Sequence, residues 1–380
     1  MTAASQQRRM GLGLIGSGFM GRTHALGFIN APRIFRLPLV AELEMLADAT
    51  PDLAARAAAS LGFRRSTGSW RELIADPAVQ IVDITTPNTL HKEMALAAAA
   101  AGKHIYCEKP LAPTAADARE MALAAERAGV VTAVGFNYLK NPMMKLAREI
   151  IDSGEIGELR SFQGLHAEDY MADADAPWTW RLDPAGGGGA LADIGSHIIA
   201  MARYLMGPIE RVMADVVTVI GSRPVAAGST ERRKVEVDDI ARALVRFASG
   251  ASGSLEANWL AAGREMRLDF EIVGSKGALG FTQERFNELQ LYRMDDPRDR
   301  RGFRTIFAGP EHPPYGDFCV AGGHQLGFND LKTIEVRDFL LALAGQPTGH
   351  ADFREGVAVM ETVEAIYASS REQRWVKVGA

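Results

Sequence analysis

The sequence predicts an α/β chain in two domains. The first, residues 1–136, is a doubly wound parallel sheet. The second, residues 137–380, is an α+β domain with an open, mostly antiparallel sheet. Three observations carry that reading. A glycine fingerprint joins the first strand to the first helix. Strands and helices alternate as far as Val134, the pattern of a parallel sheet. Beyond Gly135 strands follow one another in series, which implies antiparallel pairing.

Length and composition set the bounds. The 380 residues suffice for two or three domains with real cores. A hydrophobic share of 47% with 23% charged residues is that of a globular chain. The net charge of -5 offers no bulk attraction to nucleic acid or an anionic membrane. No apolar run is long enough to span a bilayer. The polar start, Met1 to Arg9, lacks the apolar core of a signal peptide. Two cysteines, Cys107 and Cys319, form neither a disulfide framework nor a metal motif, so a cytoplasmic location and no metal are expected.

In chain order, Met10 to Ile15 is a strand that runs into Gly16-Ser17-Gly18-Phe19-Met20-Gly21, a G-x-G-x-x-G match. A helix, Arg22 to Asn30, follows. This is the arrangement of a Rossmann dinucleotide site. Gly16 makes the turn, Gly18 lets the backbone approach a pyrophosphate, and Gly21 permits close packing. The helix N-terminus adds amides and partial positive charge. Leu39 to Ala47 is the second strand, ending at Asp48, where an acid bonds the adenosine ribose and favours NAD over NADP. Glu42 and Glu44 are rival acids inside the strand. Extra residues in the first crossover are assigned to Ala31–Leu37. Pro51 to Leu61 is a helix and Ile81 to Thr85 the third strand. Thr86-Pro87-Asn88 and His91 lead into the next helix. Lys103 to Cys107 is the fourth strand, closed by Glu108-Lys109-Pro110. Pro110 biases Lys109 toward extended backbone, which holds its amine at the ligand-binding edge of the sheet. Ala115 to Ala128 is a helix and Val130 to Val134 the fifth strand.

In the second half, Met143 to Ser153 is a helix and Leu159 to Ala167 a strand. Gly186-Gly187-Gly188-Gly189 then reads as a flexible loop running into a helix. Leu191, Ile194, Ile198, Met201 and Leu205 form the core stripe of that helix. Asp193 and His197, four apart, fall off the stripe on one face. A carboxylate beside an imidazole, pointing away from the core, suits proton transfer. Strands are expected at 212–220, 239–247, 253–259, 266–273, 277–282 and 288–292. Residues 295–325 are irregular and read as a lid or interface loop. Helices at 333–344 and 354–370 close the chain.

Several of these motifs occur together in one family. The glycine fingerprint, Thr86-Pro87-Asn88 with His91, Glu108-Lys109-Pro110, Gly135-Phe136-Asn137-Tyr138 and Gly187 to His197 stand in the order found in Gfo/Idh/MocA oxidoreductases, and the chain resembles that family over nearly its whole length. The resemblance implies NAD(P)-dependent oxidation of a secondary alcohol on a sugar, inositol or related polyol, and a dimer or tetramer. It is strongest to inositol and sugar dehydrogenases, including those acting on scyllo-inositol, anhydrosugars and rare hexoses. Two departures, Ala200 where an aspartate is common and Leu139-Lys140 where an arginine is frequent, count against myo-inositol itself.

Carried over by motif, Lys109, Asp193 and His197 are the catalytic residues. His197 takes the hydroxyl proton, Lys109 stabilises the developing alkoxide, and Asp193 supports the imidazolium. The expected cofactor contacts are Gly16, Gly18, Phe19, Met20, Gly21, Asp48, Thr86, Pro87, Asn88, His91, Glu108, Lys109 and Asn137. His166, Asp169, Arg181 and His324 join the catalytic three as substrate contacts. Two other activities fit the same motifs: redox-assisted cleavage of a glycoside with no net NADH, and a non-catalytic NAD-binding regulator.

Overall fold

The computed structural model describes residues 7–379. The part of the signal-peptide reading that rests on residues 1–6 lies outside the described residues. The chain divides into two compact units. One comprises the described residues to Lys140 with Leu326–Val357; the other comprises Asn141–Gln325 with the chain from Ala358.

The first unit contains six strands: β1 (Arg8–Ile15), β2 (Leu39–Ala47), β3 (Arg65–Thr67), β4 (Ile81–Ile84), β5 (His104–Cys107) and β6 (Thr132–Val134). They pair in the order β3-β2-β1-β4-β5-β6, all parallel. The order reverses between β1 and β4, the switch point at which such sheets bind ligands. Helices α1 (Phe19–Ile34), α2 (Pro51–Leu61), α3 (Trp70–Ala75), α4 (His91–Ala100) and α5 (Ala115–Ala128) alternate with the strands. The sequence sets the helix ends: Thr50, Ser69 and Thr114 accept backbone N–H bonds as N-caps, and Gly62 and Gly129 close α2 and α5 in left-handed backbone.

Two differences from expectation stand out here. The helix of the first crossover is longer than read: some of the extra residues at 31–37 continue α1 to Ile34 through Pro32. The pair β3 and α3 was not foreseen, since three residues are too short to show a period.

A third difference concerns the domain boundary, expected at 136/137. Leu326–Val357, assigned by sequence to the second domain, belongs to the first unit. Its long helix, Phe328–Leu343, packs on α1 at Gly27. A Cβ there would stand 3.0 Å from Val336 Cγ2 and 3.3 Å from the Lys332 carbonyl, so the glycine keeps this close approach free of crowding.

The second unit holds α6 (Pro142–Asp152), β7 (Leu159–Ala167), a π-helical turn (Leu191–Gly195), α7 (Ser196–Met206), β8 (Ile209–Val217), the hairpin β9 (Ser222–Pro224) and β10 (Arg232–Lys234), β11 (Ile240–Phe247), β12 (Ser252–Asn258), β13 (Arg267–Gly274), β14 (Gly277–Thr282), β15 (Glu288–Arg293), β16 (Arg304–Phe307) and the short α8 (Tyr315–Phe318). After α9 (Phe328–Leu343, in the first unit), α10 (Phe353–Glu372) leads back to β17 (Val376–Lys377).

Its nine-stranded sheet runs β16-β15-β14-β13-β7-β12-β11-β8-β17. Only β12 and β7 pair in parallel, so the sheet is mixed and mostly antiparallel. One face is covered by α7, whose Ile198 packs where Gly164 of β7 leaves room. The predicted stripe Leu191, Ile194, Ile198, Met201 and Leu205 is buried. On the opposite face Leu244, Gln163 and Glu271 are exposed and linked across the strands by register. A cavity of about 660 Å³ lies on this face, lined by Gln163, Glu271, Gly280 and Gln290 among others. The segment 295–325, read as irregular, contains β16 and α8.

Candidate active site

The first unit presents a cradle at the switch point. The three glycines of the fingerprint differ in what surrounds them. Gly16 has φ +96, which favours glycine. A Cβ at Gly21 would sit 2.1 Å from the Gly16 carbonyl oxygen, so α1 can pack there only without a side chain. At Gly18 a Cβ would meet nothing within 4 Å, so the backbone faces open space. Gly18 caps α1 with no side-chain bond, which leaves the first-turn amides for an anion. A cavity of about 500 Å³ runs from Gly16, Ser17 and Gly18 past Asp48 to Trp70 and Thr86.

Asp48 follows β2. Its Oδ2 accepts the Ser17 N–H at 3.0 Å and its Oδ1 the Ala49 N–H at 2.6 Å, which fixes the carboxylate at the cavity wall. The rival acids point elsewhere: Glu42 pairs with Arg9 and Arg64, and Glu44 with Arg64 and Arg65. Phe19 is exposed, with its ring stacked on Phe328 at 5.8 Å; Met20 is half-buried. Asn137 is buried and its Nδ2 has no partner among the described residues, a donor placed for a group from outside the chain. The open glycine, the uncapped helix and the orphaned amide fit a dinucleotide.

Two residues expected to touch the cofactor are placed otherwise. His91 is fully buried. Its Nε2 faces the Thr86 carbonyl at 2.9 Å and its Nδ1 the Pro110 carbonyl at 3.1 Å. Burial lowers its pKa, and the ring lies between the 86–91 turn and the Glu-Lys-Pro turn. Glu108 is 5% exposed, and its carboxylate is turned into the domain. Its Oε1 accepts from His24 at 2.7 Å and Lys332 at 3.1 Å, and its Oε2 accepts the Lys109 N–H at 3.0 Å. Burial opposes its ionisation, yet Lys332 and His24 hold it well below the usual carboxylate range. Lys109 itself is half-buried, and its bond to Pro110 is cis. Thr86 is half-buried, Pro87 exposed and Asn88 buried in the turn before α4.

The second unit carries the Asp–His pair. The glycine run is not the flexible lead-in expected from composition. A Cβ on Gly188 would stand 2.2 Å from the Arg181 carbonyl oxygen, and one on Gly189, at φ +113, 2.2 Å from Asp238 Oδ1. Gly188 and Gly189 are glycine because backbone and a buried carboxylate press on them. Asp238 caps the helix: its carbonyl accepts the Ala190 N–H at 2.9 Å and its Oδ2 the Leu191 N–H at 2.8 Å. Burial pushes its carboxyl up to about 6, against the bonds from Tyr367 and the Leu191 amide.

The helix then opens with the π turn, and Asp193 lies within it. Single π turns inside helices often mark functional sites. Asp193 Oδ2 accepts from the Tyr170 hydroxyl at 2.9 Å and from Arg181 Nε at 3.0 Å. His197, the second residue of α7, is 7% exposed. This corrects the expectation that it points away from the core: β7 lies along α7, and the His166 ring sits 5.6 Å from that of His197.

The expected substrate contacts separate. Arg181 joins Asp193. His166 is buried, its Nδ1 at 2.8 Å from the Ile194 carbonyl and its Nε2 at 2.8 Å from Glu168. It fixes the π turn and abuts His197. Asp169 accepts the Gly263 N–H at 2.9 Å, which holds a turn. His324 lies in an exposed turn. Sequence reasoning missed Tyr170 and Asp238 here, and His24, Lys332 and Glu335 in the first unit. The last two carried a signal: Lys332 and Glu335 stand among Leu331, Ile334 and Phe339, charges within an apolar helix. Among the described residues no group of three or more His, Cys, Asp or Glu is placed to hold a metal, and no helix is long and apolar enough to cross a membrane.

Residues 10–136 match the family profile described as "Oxidoreductase family, NAD-binding Rossmann fold", and residues 144–280 that of the GFO/IDH/MocA C-terminal domain. Levoglucosan dehydrogenase of Pseudarthrobacter phenanthrenivorans is 41% identical over 385 residues, 98% of each chain. A structure of levoglucosan dehydrogenase in complex with NADH and levoglucosan superposes with a TM-score of 0.94 at 41% identity, covering 98% of this chain and 100% of that one. Myo-inositol 2-dehydrogenase of Thermotoga maritima is 29% identical over 78% of this chain and 82% of its own.

The cap on the site helix has a pH signature. The folded carboxyl of Asp238 titrates above its unfolded value, so the stability it contributes is present below about pH 4 and is lost as pH rises through about 6. Asp238→Asn should therefore gain stability relative to the native protein between about pH 4 and pH 7. Thermal melts of both proteins across that range check it; a melting-temperature difference that stays flat with pH contradicts it.

Proposed function

We propose a reaction for this chain from one premise: it belongs to the Gfo/Idh/MocA family of oxidoreductases. It is an NAD-dependent dehydrogenase that oxidises a secondary hydroxyl of a sugar, anhydrosugar or inositol. Levoglucosan, a 1,6-anhydro sugar, is the first substrate to try. The observation that carries this is likeness over the whole chain to levoglucosan dehydrogenase, known in complex with NADH and levoglucosan. A reductase of 1,5-anhydro-D-fructose from Ensifer adhaerens is also similar, 32% identical over 70% of this chain, which points the same way. These relatives favour net redox over glycoside cleavage or a silent regulator.

Bound NAD supplies the hydride acceptor. The fingerprint amides and α1 hold its pyrophosphate, Asp48 its adenosine ribose, and Asn137 Nδ2 a polar group of its nicotinamide end. His197 takes the proton of the substrate hydroxyl. Its burial beside His166 restricts the ring to few orientations. Lys109 donates a hydrogen bond to the same oxygen and stabilises its growing negative charge. Asp193, held by Tyr170 and Arg181, supports the imidazolium once it forms. Arg181 thereby acts through Asp193, whereas His324 is assigned no contact. The reading includes a cytoplasmic location, with both cysteines free.

A panel of inositols, hexoses and anhydrosugars assayed for NADH tests the activity. Levoglucosan should give steady NADH formation; cleavage of a glycoside without NADH would overturn the dehydrogenase. His197→Ala should lower kcat by about a hundredfold or more with NAD affinity retained. Lys109→Ala should also lower kcat, and the two losses should not add, since both act on one hydroxyl. A His197→Ala enzyme with near-native kcat would remove the mechanism.

The position of Asp48 sets the cofactor choice. Its carboxylate accepts from the ribose hydroxyls and repels a 2′-phosphate, so kcat/KM should be higher with NAD than with NADP, and Asp48→Ala should narrow the gap. A native preference for NADP would show that another group reads the ribose.

The chain is also proposed to assemble as a homo-oligomer, a tetramer before a dimer, through two-fold contacts of the exposed sheet face that bears Gln163, Leu244 and Glu271. Light scattering at micromolar concentration should return a multiple of 41.0 kDa; the mass of a single chain would contradict this.

A further inference from the structure

Beneath Lys109 the first unit buries an ionic cluster that the reaction as described does not use. His24 on α1 has both ring nitrogens on carboxylates: Nδ1 lies 2.9 Å from Asp83 Oδ1, and Nε2 lies 2.7 Å from Glu108 Oε1. With both carboxylates ionised, two such bonds take two N–H groups, hence an imidazolium. Burial disfavours the charge, but Asp83 raises the pKa of the ring above its ordinary value. From α9, Lys332 donates to Glu108 at 3.1 Å, Glu335 at 2.6 Å and the Tyr106 hydroxyl at 3.0 Å, so all three ammonium protons are engaged. Tyr106 also donates to Glu335 and stacks on His24 at 4.5 Å. His24, Asp83, Tyr106 and Lys332 are fully buried, and Glu335 is 2% exposed.

Such a cluster is a poor way to gain stability. Apolar residues of the same volume often do as well or better, because each buried ion loses its hydration. Its composition is also unbalanced. Among the described residues Asp83, whose carboxyl burial pushes up, Glu108 and Glu335 face two cations, His24 and Lys332. Lys109, next in the chain after Glu108, supplies the missing positive charge, and it is among the charges that keep Glu108 ionised. Glu108 meanwhile accepts the Lys109 amide, which fixes the backbone from which that side chain extends. Room for the carboxylate is made by Gly135, where a Cβ would stand 2.4 Å from Glu108 Oε1. The other ionisable neighbours of the cluster are Cys107, whose thiol burial pushes well up, and His91, whose pKa burial lowers.

We propose that Glu108, clamped by His24 and Lys332, is a positioning residue that holds Lys109 in place through its amide and through the fixed negative charge of the cluster. This rests on the reading that Lys109 acts on the substrate hydroxyl. Lys332 and His24 act one step further back, by orienting Glu108. The return of α9 to the first unit then has a role in the reaction as well as in packing.

The test is a double-substitution cycle with levoglucosan and NAD, joined to a labelling experiment that needs no substrate. Glu108→Gln preserves shape and removes the charge. It should lower kcat about tenfold or more, as expected when a reacting group is displaced slightly, with substrate KM changed far less. In a Lys109→Ala background the same change should cost almost nothing further. Lys332→Gln is carried in parallel in case Glu108→Gln does not fold, with the same expectation. Lys109 in the intact protein should react with an amine-directed reagent several-fold faster after either substitution.

Losses that multiply fully in the Lys109→Ala background, or unchanged Lys109 labelling, would reduce the cluster to a structural one and overturn the proposal. If Lys109→Ala alone leaves kcat intact while labelling still accelerates, the positioning stands and the catalytic role of Lys109 falls.

Discussion

A carboxylate with no access to water has to be neutralised where it stands, and in this protein that constraint shapes both units. Glu108 is the case in the first. Closing β5 with a buried glutamate demands donors from every side. α1 supplies His24, α9 supplies Lys332, and the chain itself supplies the Lys109 amide. It also demands space, which excludes a side chain at residue 135. Two segments distant in sequence, α1 and α9, are thereby tied with the turn after β5 to one pair of oxygen atoms. The recruitment of Leu326–Val357 into the first unit follows from the same demand, reinforced by the close approach of α9 to α1 at Gly27.

The second unit repeats the device at a helix terminus. Asp238, buried between β10 and β11, accepts the Leu191 amide and the Tyr367 hydroxyl, and so fixes where the Asp193–His197 helix begins. The glycines before it are a consequence, since their missing side chains leave room for the Asp238 carboxylate and the Arg181 carbonyl. The π turn that follows lets Asp193 meet Tyr170 and Arg181, while His197 enters the buried face beside His166. His197 and Lys109 are thus held against buried neighbours, His166 and Glu108, while Asp193 is held by the more exposed Tyr170 and Arg181. Binding sites preorganised in this way lose little entropy when a ligand arrives.

Much of the first unit was legible because its signals are local. The bounds of β2, α2 and α5 are those read from the chain, as caps such as Thr50 and Thr114 and the terminal glycines Gly62 and Gly129 act within a turn of where they stand. The different duties of Gly16, Gly18 and Gly21 were also legible, since the strand–turn–helix path leaves few alternatives. β7 and β14 were equally plain. The short β3 and α3 were not, and neither was the length of α1 past Pro32.

The sequence by itself determined the two-part α/β architecture, the dinucleotide cradle, the family, and the identity of Lys109, Asp193 and His197 as the residues to watch. Each is written in local periodicity or in a short motif. Tertiary structure alone decided what those residues rest on. It turned Glu108 and His91 inward, made a packed corner of the glycine run, buried His197, and returned α9 to the first unit. Glu108 meets Lys332 across 224 positions, Asp238 meets Leu191 across 47, and Tyr170 meets Asp193 across 23. Side chains so far apart carry no mark of one another in the sequence; only the folded backbone, through the need to pair every buried charge, brings them to the same place.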